Sequence, residues 1–175
     1  QASSNRHAAG NACGAIPSEP NQACSPTGQT RLNLLLSDAS RPDRSWADRL
    51  PPLLAPMGVR TIQAHTGAEA SEVIRATPIH MAVVDLALPL EAGSDEDGGL
   101  RLLELLRRAE SPPPTIVIRR ARTAREASRE AMRALLADAF AVVDRPSHHG
   151  DVELLLEVLR RVLARHYRGR WPQAD

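Results

Sequence analysis

The sequence predicts an α/β fold in which helices cover a doubly wound parallel sheet of five strands. Three observations support this prediction. From about residue 31 to residue 168, short apolar runs alternate with segments of helical periodicity. Several runs are apolar at nearly every position, as is typical of strands buried on both faces of a parallel sheet. Two of the runs end in a carboxylate, Asp38 and Asp85, at the edge where open α/β sheets bind ligands.

The first half of the chain supplies three strands and two helices. In chain order they are the strand Leu32 to Asp38, a helix from about Arg44 towards Leu54, the strand Val59 to Ala64, the helix Ala68 to Ala76 and the strand Met81 to Pro89. Asp43 is the expected N-cap of the first helix, and Pro51-Pro52 predicts that this helix is kinked or split. Its predicted apolar side consists of Trp46, Leu50, Leu53 and Leu54.

The second half supplies two strands and three helices. They are the helix Leu100 to Ala109, the strand Thr115 to Ile118, a helix from about Thr123 to Ala137, the strand Phe140 to Val143 and a helix from Asp151 to about Tyr167. Three consecutive prolines end the first of these helices. The last helix is amphipathic, and its predicted apolar side consists of Val152, Leu155, Leu156, Leu159 and Leu163.

Composition limits the class of protein. With 175 residues, of which 42% are hydrophobic, the chain can bury one proper core. A net charge of only +1 and an aromatic content of 2% argue against a generic nucleic-acid binder, which needs positive charge or stacking platforms. All 22 basic residues are arginine, which we interpret first as a composition bias.

The terminal segments differ from this domain. Residues 1–30 are rich in Ser, Asn, Gly and Pro and predict a disordered leader, and residues 169–175 form a short tail. Cys13 and Cys24 lie in the leader with only His7 nearby, so a disulfide or metal role lacks further ligands. Neither a signal peptide nor a membrane span is recognisable, and we expect a cytoplasmic protein.

A set of short motifs accompanies these elements. They are Gly67-Ala68-Glu69-Ala70 after the second strand, Pro78 and Val83-Val84-Asp85 around the third, Leu88-Pro89 after it, Asp97-Gly98-Gly99-Leu100 at the start of the third helix, and a basic residue before Pro146. Each motif alone is weak, but their order and spacing together are specific. From about Leu32 to His166 the chain resembles the receiver domain of bacterial response regulators. The resemblance implies the flavodoxin-like (βα)5 receiver fold.

The same resemblance implies a phosphorylation site. Asp85 takes the position that accepts a phosphoryl group from a histidine kinase or a phosphotransfer protein. Mg²⁺ would be held by Asp38, Asp85 and the backbone carbonyl of Ala87, and would neutralise the phosphoryl oxygens. The family has an acidic pair at the first strand, whereas Ala39 follows Asp38 here, so we expect metal affinity to be weakened.

Two arginines depart from the family pattern at this edge of the sheet. Arg145 stands where the family has lysine, and Arg119 stands where it has serine or threonine. One hypothesis is that Asp85 is phosphorylated, that an acid from the loop Glu91 to Asp97 supplements Asp38, and that the arginines clamp the phosphoryl oxygens. The other is that Arg119 or Arg145 pairs permanently with Asp85 and fills the space of the metal. An arginine close to a carboxylate lowers its pKa and keeps it ionised, which is compatible with both hypotheses.

We expect the chain to act by binding rather than by catalysis. No glycine-rich phosphate loop opens a helix, and no pair of nucleophile and base is evident. In the family, the residues that correspond to Thr123 to Tyr167 bind a downstream protein and commonly form a homodimer. We recognise no helix-turn-helix motif after these residues in the sequence. The arginine-rich fourth helix leaves an acidic partner or nucleic acid as alternatives to a solvated face. His148-His149 is expected to be a plain loop rather than a metal site.

Overall fold

The structure, a computed structural model, describes residues 32–39, 45–94, 96–120 and 123–167. Its strands are β1 (Leu32–Ser37), β2 (Val59–Ala64), β3 (Met81–Asp85), β4 (Thr115–Arg119) and β5 (Ala141–Asp144). Its helices are α1 (Leu50–Leu54), α2 (Gly67–Ala76), α3 (Gly98–Arg107), α4 (Ala124–Leu136) and α5 (His149–Tyr167). All strand pairs are parallel, in the order β2-β1-β3-β4-β5. This confirms the predicted doubly wound sheet.

The apolar runs are continuous because the central strands are covered on both faces. Leu34, Leu35 and Leu36 of β1 are all fully buried. Leu34 and Leu36 pack with α1 and α5, whereas Leu35 packs on the opposite face with α2 and α3. A smaller cluster joins α3 to α4. Helices therefore lie on both sides of the sheet, and only the ends of the strands remain open for a site.

The first helix is split, as Pro51-Pro52 predicted. Only Leu50–Leu54 is α-helical, and 3₁₀ turns at Ala47–Arg49 and Ala55–Met57 flank it. Leu50 and Leu54 are buried, because residues four apart lie on one face of a helix. The prediction was wrong for Leu53, which is 47% exposed on the other face. The expected cap Asp43 and the expected start at Arg44 lie outside the described residues.

The remaining elements match the prediction to within two residues, except that β3 ends at Asp85, four residues before the predicted end at Pro89. Helix α2 begins at Gly67, where the Thr66 hydroxyl accepts a hydrogen bond from the Glu69 N–H. Helix α3 begins at Gly98 rather than Leu100, and β5 is shifted one residue along the chain to Ala141–Asp144. Within the described ranges, no helix is long and apolar enough to cross a bilayer. The leader with Cys13 and Cys24 and the tail from residue 169 lie outside them.

Candidate functional site

The candidate site lies at the point where the winding of the sheet reverses. Strands β1 and β3 are neighbours, and β2 lies outside β1, so successive connections leave this junction in opposite directions. Asp38 follows β1 and Asp85 ends β3. The crevice at such a junction, outside the carboxyl ends of the strands, is where doubly wound folds bind ligands. The fold therefore brings together the two carboxylates that the sequence singled out.

Arg145 connects both carboxylates. Its Nη2 atom lies 3.0 Å from Oδ1 of Asp38 and 3.2 Å from Oδ2 of Asp85. Arg145 follows β5, and β4 separates β5 from β3. Because neighbouring strands are about 4.8 Å apart, a long side chain is needed to cross β4. Of the two arginines proposed as partners of Asp85, only Arg145 contacts it.

Backbone and hydroxyl donors complete this cluster. The Ala87 N–H donates to Oδ1 of Asp85 over 2.9 Å, and the Ala39 N–H donates to Oδ2 over 3.3 Å. The Ser45 hydroxyl donates to Oδ2 of Asp38. Each of the four carboxylate oxygens therefore accepts a hydrogen bond from the protein itself. The side chains of Asp38 and Asp85 are 1% and 0% exposed.

The cluster contains more negative than positive charge. Burial raises the pKa of the Asp85 carboxyl, and the Arg145 guanidinium and the N–H groups of Ala87 and Ala39 offset this rise only in part. The neighbouring Asp38 adds to the rise. One guanidinium thus contacts two buried carboxylates.

The backbone around Asp85 is held by small residues. The Ser37 hydroxyl accepts from the Asp85 N–H over 3.2 Å and donates to the Val83 carbonyl over 3.1 Å, which ties β1 to β3. A Cβ atom on Gly99 would lie 2.4 Å from the Asp85 carbonyl oxygen. The start of α3 can therefore approach the site only because residue 99 is glycine. The Asp-Gly-Gly motif in the sequence has this packing role.

Arg119 makes a different contact. Its Nε atom lies 2.6 Å from Oδ1 of Asp144, the residue directly beside it in the β4–β5 register. The Asp144 side chain is 76% exposed. Nearby on α4, Glu130 has a buried Oε2 atom with no hydrogen-bond partner. Burial raises the pKa of Glu130, and Arg119 opposes this rise. Arg119 therefore belongs to an exposed ion pair between β4 and β5 rather than to the carboxylate cluster.

The predicted magnesium ligands Asp38 and Asp85 already have partners within the protein. Mg²⁺ requires several oxygen ligands in octahedral geometry, but the position between Asp38 and Asp85 is filled by Arg145. Within the described ranges there is no group of three acidic, histidine or cysteine residues that could hold a metal. In the acidic loop, Glu96 lies 3.6 Å from Arg101, and Asp95 lies outside the described residues. The predicted ligand set of Asp38, Asp85 and the Ala87 carbonyl remains a prediction.

The two adjacent histidines are placed in the turn before α5 and at its start. Nδ1 of His148 lies 3.6 Å from Asp151, whose carboxylate also accepts from the N–H groups of Ser147 and His148. These hydrogen bonds lower the pKa of Asp151. The contact favours the plain loop expected for His148, because an N-terminal carboxylate caps the helix there.

Sequence reasoning missed three residues of this region. Ser45 completes the hydrogen bonds of Asp38, Ser37 bridges the central strands, and Asp144 holds Arg119. Ser37 had a detectable signal, because it is a polar residue at the end of an apolar strand beside Asp38. Ser45 had none, because it lies seven positions after Asp38, inside the predicted first helix, and no local pattern links the two side chains.

Known proteins support the fold. No protein family profile matches the sequence, and no curated protein matches it either. The structure is similar to a two-component response regulator from Clostridium difficile, with a TM-score of 0.61, 18% identity and coverage of 78% of this chain and 98% of the other. It is also similar to a sensor protein from Polaromonas sp. JS666, with a TM-score of 0.58, 26% identity and coverage of 77% and 98%.

A third similar structure is a longer protein, NtrX from Brucella abortus. Its TM-score is 0.61 at 22% identity, and the match covers 79% of this chain but only 28% of NtrX. The similarity therefore concerns one domain of that protein. Since the order of strands is that of a doubly wound sheet and these structures are similar over most of this chain, the chain has the fold of a response-regulator receiver domain.

Proposed function

We propose that this chain is a receiver-type signalling domain that acts through protein contacts and whose carboxylate site is held closed by Arg145. The observation that carries the proposal is the bridge from one guanidinium nitrogen to Asp38 and Asp85. A phosphoacceptor needs a carboxylate oxygen that a phosphodonor can reach. The Asp85 side chain is fully buried, and both of its oxygens accept hydrogen bonds.

The charge arrangement supports the same conclusion. A receiver that is switched by phosphorylation needs a divalent cation beside its acidic residues to neutralise the phosphoryl oxygens. In this chain the Arg145 guanidinium supplies positive charge beside the acidic residues. The domain is thereby kept in one state without metal. Its partners are proteins bound by the region 123–167, with a homodimer as one form, and we propose no enzymatic activity.

The proposal is tested by incubating the purified protein with Mg²⁺ and acetyl phosphate and measuring the intact mass. We expect no phosphoryl adduct on the wild type under conditions that label a conventional receiver domain in parallel. Arg145→Lys is the matched variant, because it keeps a positive charge but replaces the rigid planar guanidinium, whose Nη2 contacts both carboxylates, with a flexible ammonium group. We expect this variant to gain an adduct that disappears when Asp85→Asn is added.

A second candidate function is an ordinary phosphorylated receiver with weakened metal affinity. The position of Asp85 at the carboxyl end of β3, beside Asp38, favours it. In that case a histidine kinase or a phosphotransfer protein is the upstream partner, and Mg²⁺ is required. An adduct on the wild type that is lost in Asp85→Asn would establish this candidate and exclude the closed site.

A further inference from the structure

Helix α4 carries its large apolar side chains on the outside. Met132, Leu135 and Leu136 are 60%, 55% and 75% exposed, whereas the one fully buried residue of α4 is Ala134. Exposed apolar residues that occur singly are ordinary, but a contiguous group indicates an interaction surface. Residues three and four apart are neighbours on a helix, so these three side chains form one patch.

The same helix face is basic. Arg125, Arg129 and Arg133 are spaced four residues apart and are all exposed. None of the three lies within ion-pair distance of a carboxylate in the described part of the chain, although Arg133 is close enough to influence the pKa of Glu130. We name these arginines together with Met132, Leu135 and Leu136 the α4 surface. It combines uncompensated positive charge with an apolar patch.

A groove between α3 and α4 extends this surface. It has a volume of about 480 Å³ and is lined by Leu100, Leu103 and Arg107 from α3 and by Arg133 and Leu136 from α4. Leu136 belongs to both the groove and the exposed patch. Arginines from the two helices border an apolar floor, and Glu104 is the single acidic residue of its lining.

We propose that the α4 surface and the α3–α4 groove bind an acidic amphipathic helix of a partner protein. Such a helix inserts apolar side chains at the spacing i, i+3, i+4 and i+7 into an apolar groove, while its carboxylates meet Arg125, Arg129 and Arg133. Charge complementarity selects an acidic partner rather than a basic one. The apolar patch distinguishes this ligand from nucleic acid, because phosphate contacts require positive charge but no exposed Leu or Met. The inference rests on the proposed action through protein contacts and names the chemistry of the partner.

The test uses synthetic helical peptides of leucine, alanine and glutamate with all leucines on one face. A fluorescent label reports binding to the full chain by anisotropy, and amide NMR shifts locate the bound peptide. Three probes serve for comparison: the same composition in scrambled order, a version with lysine in place of glutamate, and a DNA duplex. We expect the acidic amphipathic peptide alone to bind, with amide shifts in α4 and α3.

Matched variants separate charge from apolar contact. Arg129→Glu should weaken peptide binding by about tenfold, whereas Arg49→Glu, at an exposed position in the 3₁₀ turn before α1, should change it less than about twofold. Leu136→Ser should weaken binding several-fold, whereas Leu53→Ser on α1, on the opposite face of the sheet, should not. All four positions are exposed, so each variant is expected to fold.

Four outcomes would overturn the proposal. They are no binding of the acidic amphipathic peptide, equal binding of the scrambled peptide, tighter binding of the DNA duplex, and self-association of the chain that Leu136→Ser abolishes. The mass of the protein after acetyl phosphate treatment does not depend on the α4 surface. Failure of this proposal is therefore distinguishable from failure of the closed site.

Discussion

Two arginines at the ends of neighbouring strands, Arg119 in β4 and Arg145 just after β5, occupy very different environments. Arg145 is 18% exposed and bridges two fully buried carboxylates, whereas Arg119 pairs with Asp144, which is 76% exposed. The shorter contact is the one at Arg119, at 2.6 Å. Even so, we expect it to contribute less, because an exposed carboxylate that loses its partner is solvated again by water. Water cannot solvate a buried carboxylate in the same way when its partner is removed.

The largest expected effect is that of Arg145→Ala. Removal of one partner from a buried ion cluster costs about 3 to 5 kcal/mol, since an uncompensated charge remains in the interior. Partial exposure of Arg145 favours the lower end of this range. Denaturant unfolding measures the loss, with Arg160→Ala on the exposed face of α5 as the control. A loss no larger than that of the control would show that water already reaches Asp38 and Asp85.

The next effect is that of Ser45→Ala, which removes the hydroxyl that donates to Asp38. Hydrogen bonds to buried charged groups contribute about 1.5 to 3 kcal/mol, so we expect a loss of this size in the free energy of unfolding. Ser128→Ala is the control, because its hydroxyl donates to a carbonyl on the exposed side of α4. Equal losses for the two variants would contradict the special position of Ser45.

Asp85→Asn is expected to change the pH dependence of stability. Burial raises the folded-state pKa of Asp85 above its usual value of 3.8, so the folded chain holds this proton at pH values where the unfolded chain has lost it. Below the unfolded pKa, Asp85 makes no difference. As pH rises through the interval between the two pKa values, the wild type loses stability, and above it the full cost is present.

Unfolding free energies of wild type and Asp85→Asn across this acidic interval provide the measurement. The difference between them should move steadily in favour of the Asn variant as pH rises. Asp144→Asn, at the exposed end of β5, serves as the comparison. A difference between wild type and Asp85→Asn that is constant with pH would mean that Arg145 fully compensates the burial of Asp85.

The smallest effect is expected at the exposed pair. Arg119→Ala and Asp144→Ala should each cost only about 0.2 to 1 kcal/mol, and salt should reduce the coupling between them. A double-mutant cycle at low and high ionic strength isolates the pair. Coupling above about 2 kcal/mol that persists in salt would place Arg119 in an environment as closed as that of Arg145.

Much of the fold follows from local patterns. The alternation of apolar and polar residues from Val59 to Ala64 predicted β2 to the residue, and apolar runs predicted the other strands to within a few residues. The prolines of α1 predicted its division. These features are local, because periodicity and the missing N–H of proline act within a few residues. The exposure of Leu53 could not be predicted from a local pattern. It depends on how a single helical turn is oriented against the sheet.

The sequence by itself determined that Asp38 and Asp85 stand at the ends of two strands and that arginines stand at or just after the ends of β4 and β5. Only the tertiary structure decided which arginine reaches the carboxylates. Arg119 is on the strand beside β3, yet it turns to its register neighbour Asp144, while Arg145 crosses β4 to both acids. The physical reason is that ion pairing in an interior depends on side-chain direction and on the absence of water. Neither property is written in the spacing of residues along the chain.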